Sequence, residues 1–267
     1  MRITFIGGGN MAGAIIGGLA RQGGHQIHVV EHQQDKLDQL AASFGCSGGQ
    51  ALPERFSAED VVVLAVKPQQ LRELCLALAP RLNGALLVSI AAGIRLDALR
   101  RWLASDRIVR VMPNTPAMVG KGVSGLYADA AVSAADREAA ETVMRAAGLT
   151  VWLQDEVGID DITCVSGSGP AYVFYFIESM IEAGVKAGFS EAQARELVLA
   201  TFDGAVELAR QSPLPVATLR QNVMSKGGTT ERAIARFEAD GVKAAIIAGA
   251  MDCRERSIEM GQQLSQE

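Results

Sequence analysis

"RITFIGGGNMAGAI" occupies residues 2–15, and the fold of the whole chain turns on how it is read. Five mostly apolar residues of strand character run into three glycines, and a helical pattern starts at Asn10. Gly7, Gly9 and Ala12 fit the G-x-G-x-x-G/A spacing. Gly7 permits the tight turn, Gly9 lets backbone approach a pyrophosphate, and Ala12 is small enough for the helix to pack on the strand. In this strand–turn–helix context the pattern predicts a dinucleotide site. Its contacts would come from Ile6, Gly7, Gly8, Gly9, Asn10 and Met11.

Further along, short β-branched runs alternate with helical patterns. Strands are expected at 2–6, 26–31, 60–66, 85–91, 108–112, 122–128 and 149–153, with helices such as 10–22, 68–78, 95–104 and 134–147 between most of them. Fully apolar runs such as "VVVLAV" (61–66) suit a parallel sheet covered on both faces. The fold class predicted is α/β: an N-terminal Rossmann-like, doubly wound, mostly parallel sheet, followed by an all-helical C-terminal domain. After about residue 155 the strands stop, and helices are expected over 170–187, 190–211, 215–224, 229–239 and 242–264. This places a dinucleotide-binding domain at 1–154 and a helical substrate-binding and dimerisation domain at 155–267. "AYVFYFIESMI" (171–181) and "AAIIAGAM" (244–251) are apolar on most faces, and such helices must be covered on all sides. A partner chain is expected to supply part of that cover.

The 267 residues are 49% apolar, enough for a sizeable core, and carry a net charge of −5 without a Lys/Arg run. Neither a nucleic-acid nor an anionic-membrane partner is expected. The N-terminus lacks a signal-peptide layout, and no apolar stretch reaches the ~18 residues of a membrane span. Cys46, Cys75, Cys164 and Cys253 are widely spaced, which reads as four reduced thiols in a cytoplasmic protein. The three histidines, His25, His28 and His32, all fall in one expected strand and its flanks. A histidine base elsewhere is therefore excluded, and no residue cluster has metal-ligand spacing.

Ligands of open α/β sheets sit beyond the carboxyl ends of the strands. At the end of the second strand, Glu31 and His32 should meet the adenine ribose. A carboxylate there accepts bonds from both ribose hydroxyls and repels a 2′-phosphate, so Glu31 favours NADH over NADPH; a solvated strand-end charge is the plainer reading. At the next edge, Ala65, Val66, Lys67 and Pro68 follow, with Lys67 able to reach a ribose or phosphate oxygen or simply to be a surface lysine. Met112, Pro113 and Asn114 open a rigid turn, "VMPNTPAMVG" (111–120), where a nicotinamide would lie.

Two motifs remain in the C-terminal half. "SGSGP" (166–170) suits a helix N-cap with Pro170 in the first turn. Its compactness is better explained by close approach to a ligand ring. "GGTT" (227–230) opens a helix and offers consecutive backbone N–H groups at the positive end of the helix dipole, a carboxylate site without an arginine.

Together "IGGGNMAGAI", "VMPNTPA", "SGSGPAYVF" and "SKGGTTERAI" resemble the pyrroline-5-carboxylate reductases, over residues 2 to 260. The resemblance implies hydride transfer from NADPH or NADH to the C=N carbon of L-1-pyrroline-5-carboxylate, giving L-proline. It implies a homodimer built by interleaved C-terminal helices, with larger rings in some members. It assigns the substrate carboxylate to the second loop, so Ser225, Gly227, Gly228, Thr229 and Thr230 join Ser166, Gly167, Ser168, Gly169 and Pro170 as expected substrate contacts. Thr230 is the expected catalytic hydroxyl near the ring nitrogen. A cyclic imine is basic enough to arrive protonated, which accounts for the lack of a histidine base. The protein's task is then orientation and a matched field.

Three positions depart from the family pattern. Met224 and Lys226 stand where a threonine and a proline are usual, and Glu31–His32 stands where many relatives hold a small polar residue or arginine for a 2′-phosphate. Family habit thus leans toward NADPH and local chemistry toward NADH. A β-hydroxyacid dehydrogenase is the nearest rival, but no Asn pair follows Lys186 as that reading requires. A non-catalytic dinucleotide sensor would not need the two C-terminal loops.

Overall fold

A computed structural model describes residues 1–266. Among them, eight strands form one sheet in the order β3-β2-β1-β4-β5-β6-β7-β8. These are β1 (Arg2–Ile6), β2 (Gln26–Val30), β3 (Ser47–Gly49), β4 (Asp60–Leu64), β5 (Leu86–Ser89), β6 (Ile108–Met112), β7 (Gly122–Tyr127) and β8 (Gly148–Trp152). The seven expected strands all form. β3 was not foreseen: Ser47-Gly48-Gly49 carries no apolar alternation, and it pairs with β2 through its backbone and the Ser47 hydroxyl, which donates to the Ile27 carbonyl at 3.1 Å and lies 2.9 Å from His28 Nδ1.

All neighbours are parallel except β6 and β7. The connection between those two, residues 113–121, is too short for the crossover that a parallel return requires, so β7 runs back antiparallel. Helices α1 (Asn10–Gln22), α2 (Gln34–Phe44), α3 (Pro68–Leu78), α4 (Leu96–Leu103) and α5 (Ala134–Arg145) cover the sheet. The apolar run of β4 shows why both faces need cover. Val61 and Val63 join Ile15, Ile16 and Val143 from α1 and α5 in one core. Val62 and Leu64 join Leu71, Leu78 and Leu99 from α3 and α4 in the other. Each such fully buried side chain contributes roughly 1.5–3 kcal/mol.

A charge is buried at the sheet's heart. Arg110 on β6 has a side chain only 4% exposed and pairs with Glu156 at 2.6 Å. The same Glu156 oxygen accepts the Leu96 N–H, also at 2.6 Å, at the start of α4.

Past β8 the chain is helical: α6 (Gly158–Ile162), a π-helical turn (Thr163–Gly167), α7 (Gly169–Lys186), α8 (Glu191–Gln211), α9 (Val216–Asn222), α10 (Thr229–Ala239) and α11 (Val242–Leu264). Compactness does not follow this change of class. One unit comprises residues 1–170 and 252–267, the other 171–251. In the first unit the end of α11 packs on α4. Ser265 accepts the Arg95 N–H at 2.9 Å through its hydroxyl and Arg101 at 2.6 Å through its carbonyl.

Within the second unit, Ser190 and Gln193 form a reciprocal capping box that starts α8. Gly184 lets α8 approach α7 closely, since a Cβ there would stand 2.9 Å from that of Ala194. All 18 residues of α7 are exposed or half-buried, although the helix carries Val173, Phe174, Tyr175 and Phe176 in succession. Ile246, Ile247 and Met251 of α11 are exposed as well.

Candidate active site

The glycine turn closes against the ends of β1, β2 and β4. Gly7 donates to the Val30 carbonyl at 2.8 Å, and Ala65 donates to that of Ile6 at 2.8 Å. Gly7 has φ +105°, and a Cβ there would lie 2.6 Å from the Ala65 oxygen, so no other residue fits. Gly9 caps α1 in an extended conformation with no side-chain cap bond, and a Cβ on it would meet open space. The first-turn N–H groups of α1, including those at Asn10 and Met11, thus face outward as helix-start donors do. The residues present fit a pyrophosphate.

Glu31, just past β2, is tied into this turn. Its Oε2 accepts the Gly8 N–H at 2.9 Å and its Oε1 the Gln33 N–H at 3.1 Å. Burial alone would raise the Glu31 carboxyl. The backbone bonds from Gly8 and Gln33, helped by the charge of Lys36 and a weaker bond from the His32 backbone, outweigh it and hold the group below the usual carboxylate range. His32 beside it is exposed. Gly8, Gly9, Asn10 and Lys36 border a surface cavity of about 290 Å³. At the β4 edge, Ala65 and Val66 are half-buried, Lys67 is exposed, and Pro68 opens α3.

A second cavity, about 250 Å³, lies beyond the ends of β5 and β6. Met112 and Ser168 line it, two expected residues brought together from segments more than fifty positions apart. So do Ala91, Gly93, Cys253 and Arg256, which the sequence reading passed over. "SIAAGI" (89–94) follows a buried strand, and the edge rule applied to Lys67 would have found Ala91–Gly93. Nothing in the linear sequence links Cys253 or Arg256 to that edge, because the return of α11 is a tertiary event.

Pro113 and Asn114 are both buried. The Asn114 carboxamide is used internally: Nδ2 donates to the Ser166 carbonyl at 2.9 Å, and Oδ1 accepts the Val123 N–H at 2.8 Å. The "SGSG" stretch is not a free loop. Residues 163–167 make a widened helical turn in which Ser168 donates to the Thr163 carbonyl at 2.8 Å. Such turns free local backbone groups from the regular ladder. Gly167 sits where a Cβ would be 2.9 Å from Met112 Cε. The Ser168 hydroxyl accepts from the Cys253 thiol at 3.2 Å, and Ser257 donates to Asp160 at 2.6 Å. Gly169 and Pro170 lead directly into α7.

In the second unit, Gly227 has φ +72° and Gly228 caps α10 in an extended conformation. A Cβ on Gly228 would stand 2.3 Å from the Ser225 hydroxyl. Two of the four N–H groups of "GGTT" are satisfied locally: Gly227 donates to Glu231 at 2.5 Å and Gly228 to the Ser225 carbonyl at 2.8 Å. Those of Thr229 and Thr230 have no acceptor among the described residues. Lys226 is exposed and Met224 half-buried. Lys186 lies exposed at the end of α7.

Among the described residues no three His, Cys, Asp or Glu side chains gather as a metal cluster, and no helix is long and apolar enough to cross a membrane.

Comparison with known proteins adds to this geometry. A family model described as pyrroline-5-carboxylate reductase dimerisation matches residues 156–260, and one described as NADP oxidoreductase, coenzyme F420-dependent, matches residues 2–93. A pyrroline-5-carboxylate reductase of Pseudomonas aeruginosa is 45% identical, covering 99% of this chain and 98% of its own. A solved pyrroline-5-carboxylate reductase of Coxiella burnetii is 38% identical with a TM-score of 0.88, covering 97% of each chain. A Plasmodium falciparum pyrroline carboxylate reductase solved with NADP bound is 30% identical with a TM-score of 0.85, covering 98% of each.

Proposed function

The chain belongs to the pyrroline-5-carboxylate reductase family, and from that premise we propose how its residues divide the work of the reaction. The enzyme reduces the C=N bond of L-1-pyrroline-5-carboxylate to give L-proline, using NAD(P)H. The dihydronicotinamide supplies the hydride; everything else is asked of the protein.

Ile6 to Met11 hold the pyrophosphate on the glycine turn and the start of α1. Glu31 and His32 border the adenine ribose, and Ala65 to Pro68 the linkage beyond it. Met112 and Pro113 shape the nicotinamide side, with Asn114 holding their turn in place. Ser166 to Pro170 form the wall on the substrate side. Ser225 and Gly227 to Thr230 take the substrate carboxylate, with the Thr229 and Thr230 N–H groups as donors. The Thr230 hydroxyl keeps the proton on the ring nitrogen while hydride arrives at carbon. Orientation and donors aimed at developing charge are the main sources of rate here.

Residues 155–267 serve as the substrate-binding and dimerisation region. The observation behind the dimer is α7, where Phe174 is 63% and Tyr175 71% exposed in an apolar helix. A second copy of the chain, set against α7 and the exposed face of α11, covers them. The four free thiols fit a cytoplasmic location.

The observation that carries the residue assignment is the α10 turn, whose Thr229 and Thr230 donors are left open at a helix start that admits no side chain at Gly228. The test follows NADH and NADPH absorbance with pyrroline-5-carboxylate, set against a 3-hydroxy acid with NAD. Imine-dependent oxidation is expected. No turnover with either cofactor would defeat the reading, and full kcat in Thr230→Ala would remove the hydroxyl role.

A further inference from the structure

We propose that Glu31 makes this enzyme selective for NADH, and that it does so while serving as the clamp that holds the glycine turn. The inference rests on the reductase reading only for the presence of a nicotinamide cofactor.

Glu31 is not a loose strand-end charge. Its N–H donates to the Gly49 carbonyl at 3.1 Å, which seats the residue between β2 and β3. Both carboxylate oxygens then hold backbone donors, Gly8 at 2.9 Å and Gln33 at 3.1 Å. A carboxylate has about four acceptor positions, and the backbone N–H groups of Gly8, Gln33 and, more weakly, His32 leave capacity for a ribose hydroxyl. Gly8 is shaped for this contact: a Cβ there would lie 3.4 Å from both Cβ and Cγ of Glu31 and 3.0 Å from Leu40 Cδ1. The side-chain arm and the turn are packed against each other.

A 2′-phosphate carries about −1.5 to −2 charges and would have to share this corner with an ionised carboxylate. Like-charge juxtaposition of this kind disfavours binding. The residues that follow, His32, Gln33 and Gln34, bring no permanent cation, and Lys36 is the positive charge that helps to lower the Glu31 carboxyl. Nor can the carboxylate swing aside to make room, because that would release Gly8 from the turn that receives the pyrophosphate. Exclusion of the 2′-phosphate and preorganisation of the turn therefore share one hydrogen bond. The family model matched by this half is that of an NADP oxidoreductase, and NADH selectivity in this chain would be a departure from that description.

The coupling separates two variants. Glu31→Gln removes the charge but keeps one acceptor oxygen for Gly8. Glu31→Ser removes the charge and the clamp together. Calorimetric titration of each protein with NADH and with NADPH reads binding directly, without turnover. The wild type is expected to bind NADH at least about tenfold more tightly than NADPH, given the cost of the like charges. Glu31→Gln is expected to lose most of that preference by gaining NADPH affinity. Glu31→Ser is expected to lose it by weakening NADH, ending below Glu31→Gln for both cofactors. Equal or tighter NADPH binding by the wild type overturns the selectivity. Equal NADH binding by the two variants overturns the clamp. If NADH binds selectively but no imine is reduced, the reductase reading fails and this one stands. Reduction with equal kcat/KM for both cofactors fails this reading alone.

Discussion

Asn114 and Ser166 meet across the first unit: the carboxamide of one donates to the carbonyl of the other at 2.9 Å, and its oxygen accepts Val123 N–H at 2.8 Å. The bond stitches the turn after β6 to the π-helical turn before α7. Asn114→Asp keeps the acceptor but sets a carboxylate oxygen against a carbonyl. A buried group left without its partner costs about 1–3 kcal/mol, so a loss of about 2 kcal/mol in urea unfolding is expected. kcat is expected to fall at least about tenfold, since sub-ångström placement governs hydride transfer. Wild-type kcat in a destabilised Asn114→Asp protein would show that the stitch serves stability alone.

Gly228→Ala tests the α10 turn. The new methyl would meet the Ser225 hydroxyl at 2.3 Å and its carbonyl at 2.9 Å, and overpacking of this kind costs about 1–3 kcal/mol. The turn must open, so KM for the imine is expected to rise at least about tenfold. Calorimetric affinity for the cofactor is expected to stay at the wild-type value. An unchanged KM would take the turn out of substrate binding.

Arg107 and Asp136 give the protein a predictable acid response. Arg107 Nε lies 2.9 Å from Asp136 Oδ2 and Nη2 2.5 Å from Oδ1, and these bonds, against a smaller opposing effect of burial, hold the Asp136 carboxyl below its ordinary value. A carboxyl depressed on folding stabilises the protein above its unfolded pKa of about 3.9 and loses that contribution as pH falls through the folded value. Asp136→Asn is expected to cost about 2 kcal/mol at neutral pH, less than the ~3–5 kcal/mol of a fully buried pair broken on one side. The gap to the wild type is expected to narrow below about pH 4. Melting curves taken down the pH series check this; a constant gap would assign the cost to something other than the ion pair.

The exposed apolar face of α7 predicts its own disruption. Phe174→Glu combined with Ile247→Glu puts charge where the second chain is expected to sit. Light scattering is expected to show the wild type as a dimer or larger and the variant shifted to monomer. A variant of unchanged mass would move the interface elsewhere.

The sheet was readable because its chemistry is local. Gly7 is demanded by its turn, and the Val61–Leu64 run can only belong to a strand covered twice. What escaped was set by contacts distant in sequence or by backbone alone. β3 has almost no side chains to announce it, and the widened turn at 163–167 is a hydrogen-bond shift that no residue type dictates. The edge position of its motif makes Asn114 an expected cofactor contact, and nothing in that motif announces that its carboxamide also holds Ser166 and Val123. Glu31 was legible as a charge at a strand end; its hold on Gly8 was not.

The shared acceptor at Glu156 has a bearing on anyone wishing to borrow the nucleotide-binding half. A fragment ending at residue 154, where the strands run out, would leave the Arg110 guanidinium enclosed without a counter-charge and the Leu96 amide without an acceptor. It would also strip from α4 the cover that Ser265 and its neighbours provide. The excisable module is discontinuous, with the last fifteen or so residues returning to finish what the first 170 begin. Grafting it onto another protein therefore means circularly joining that tail to the body, a chimera with its seam inside the helical region rather than at the end of the sheet.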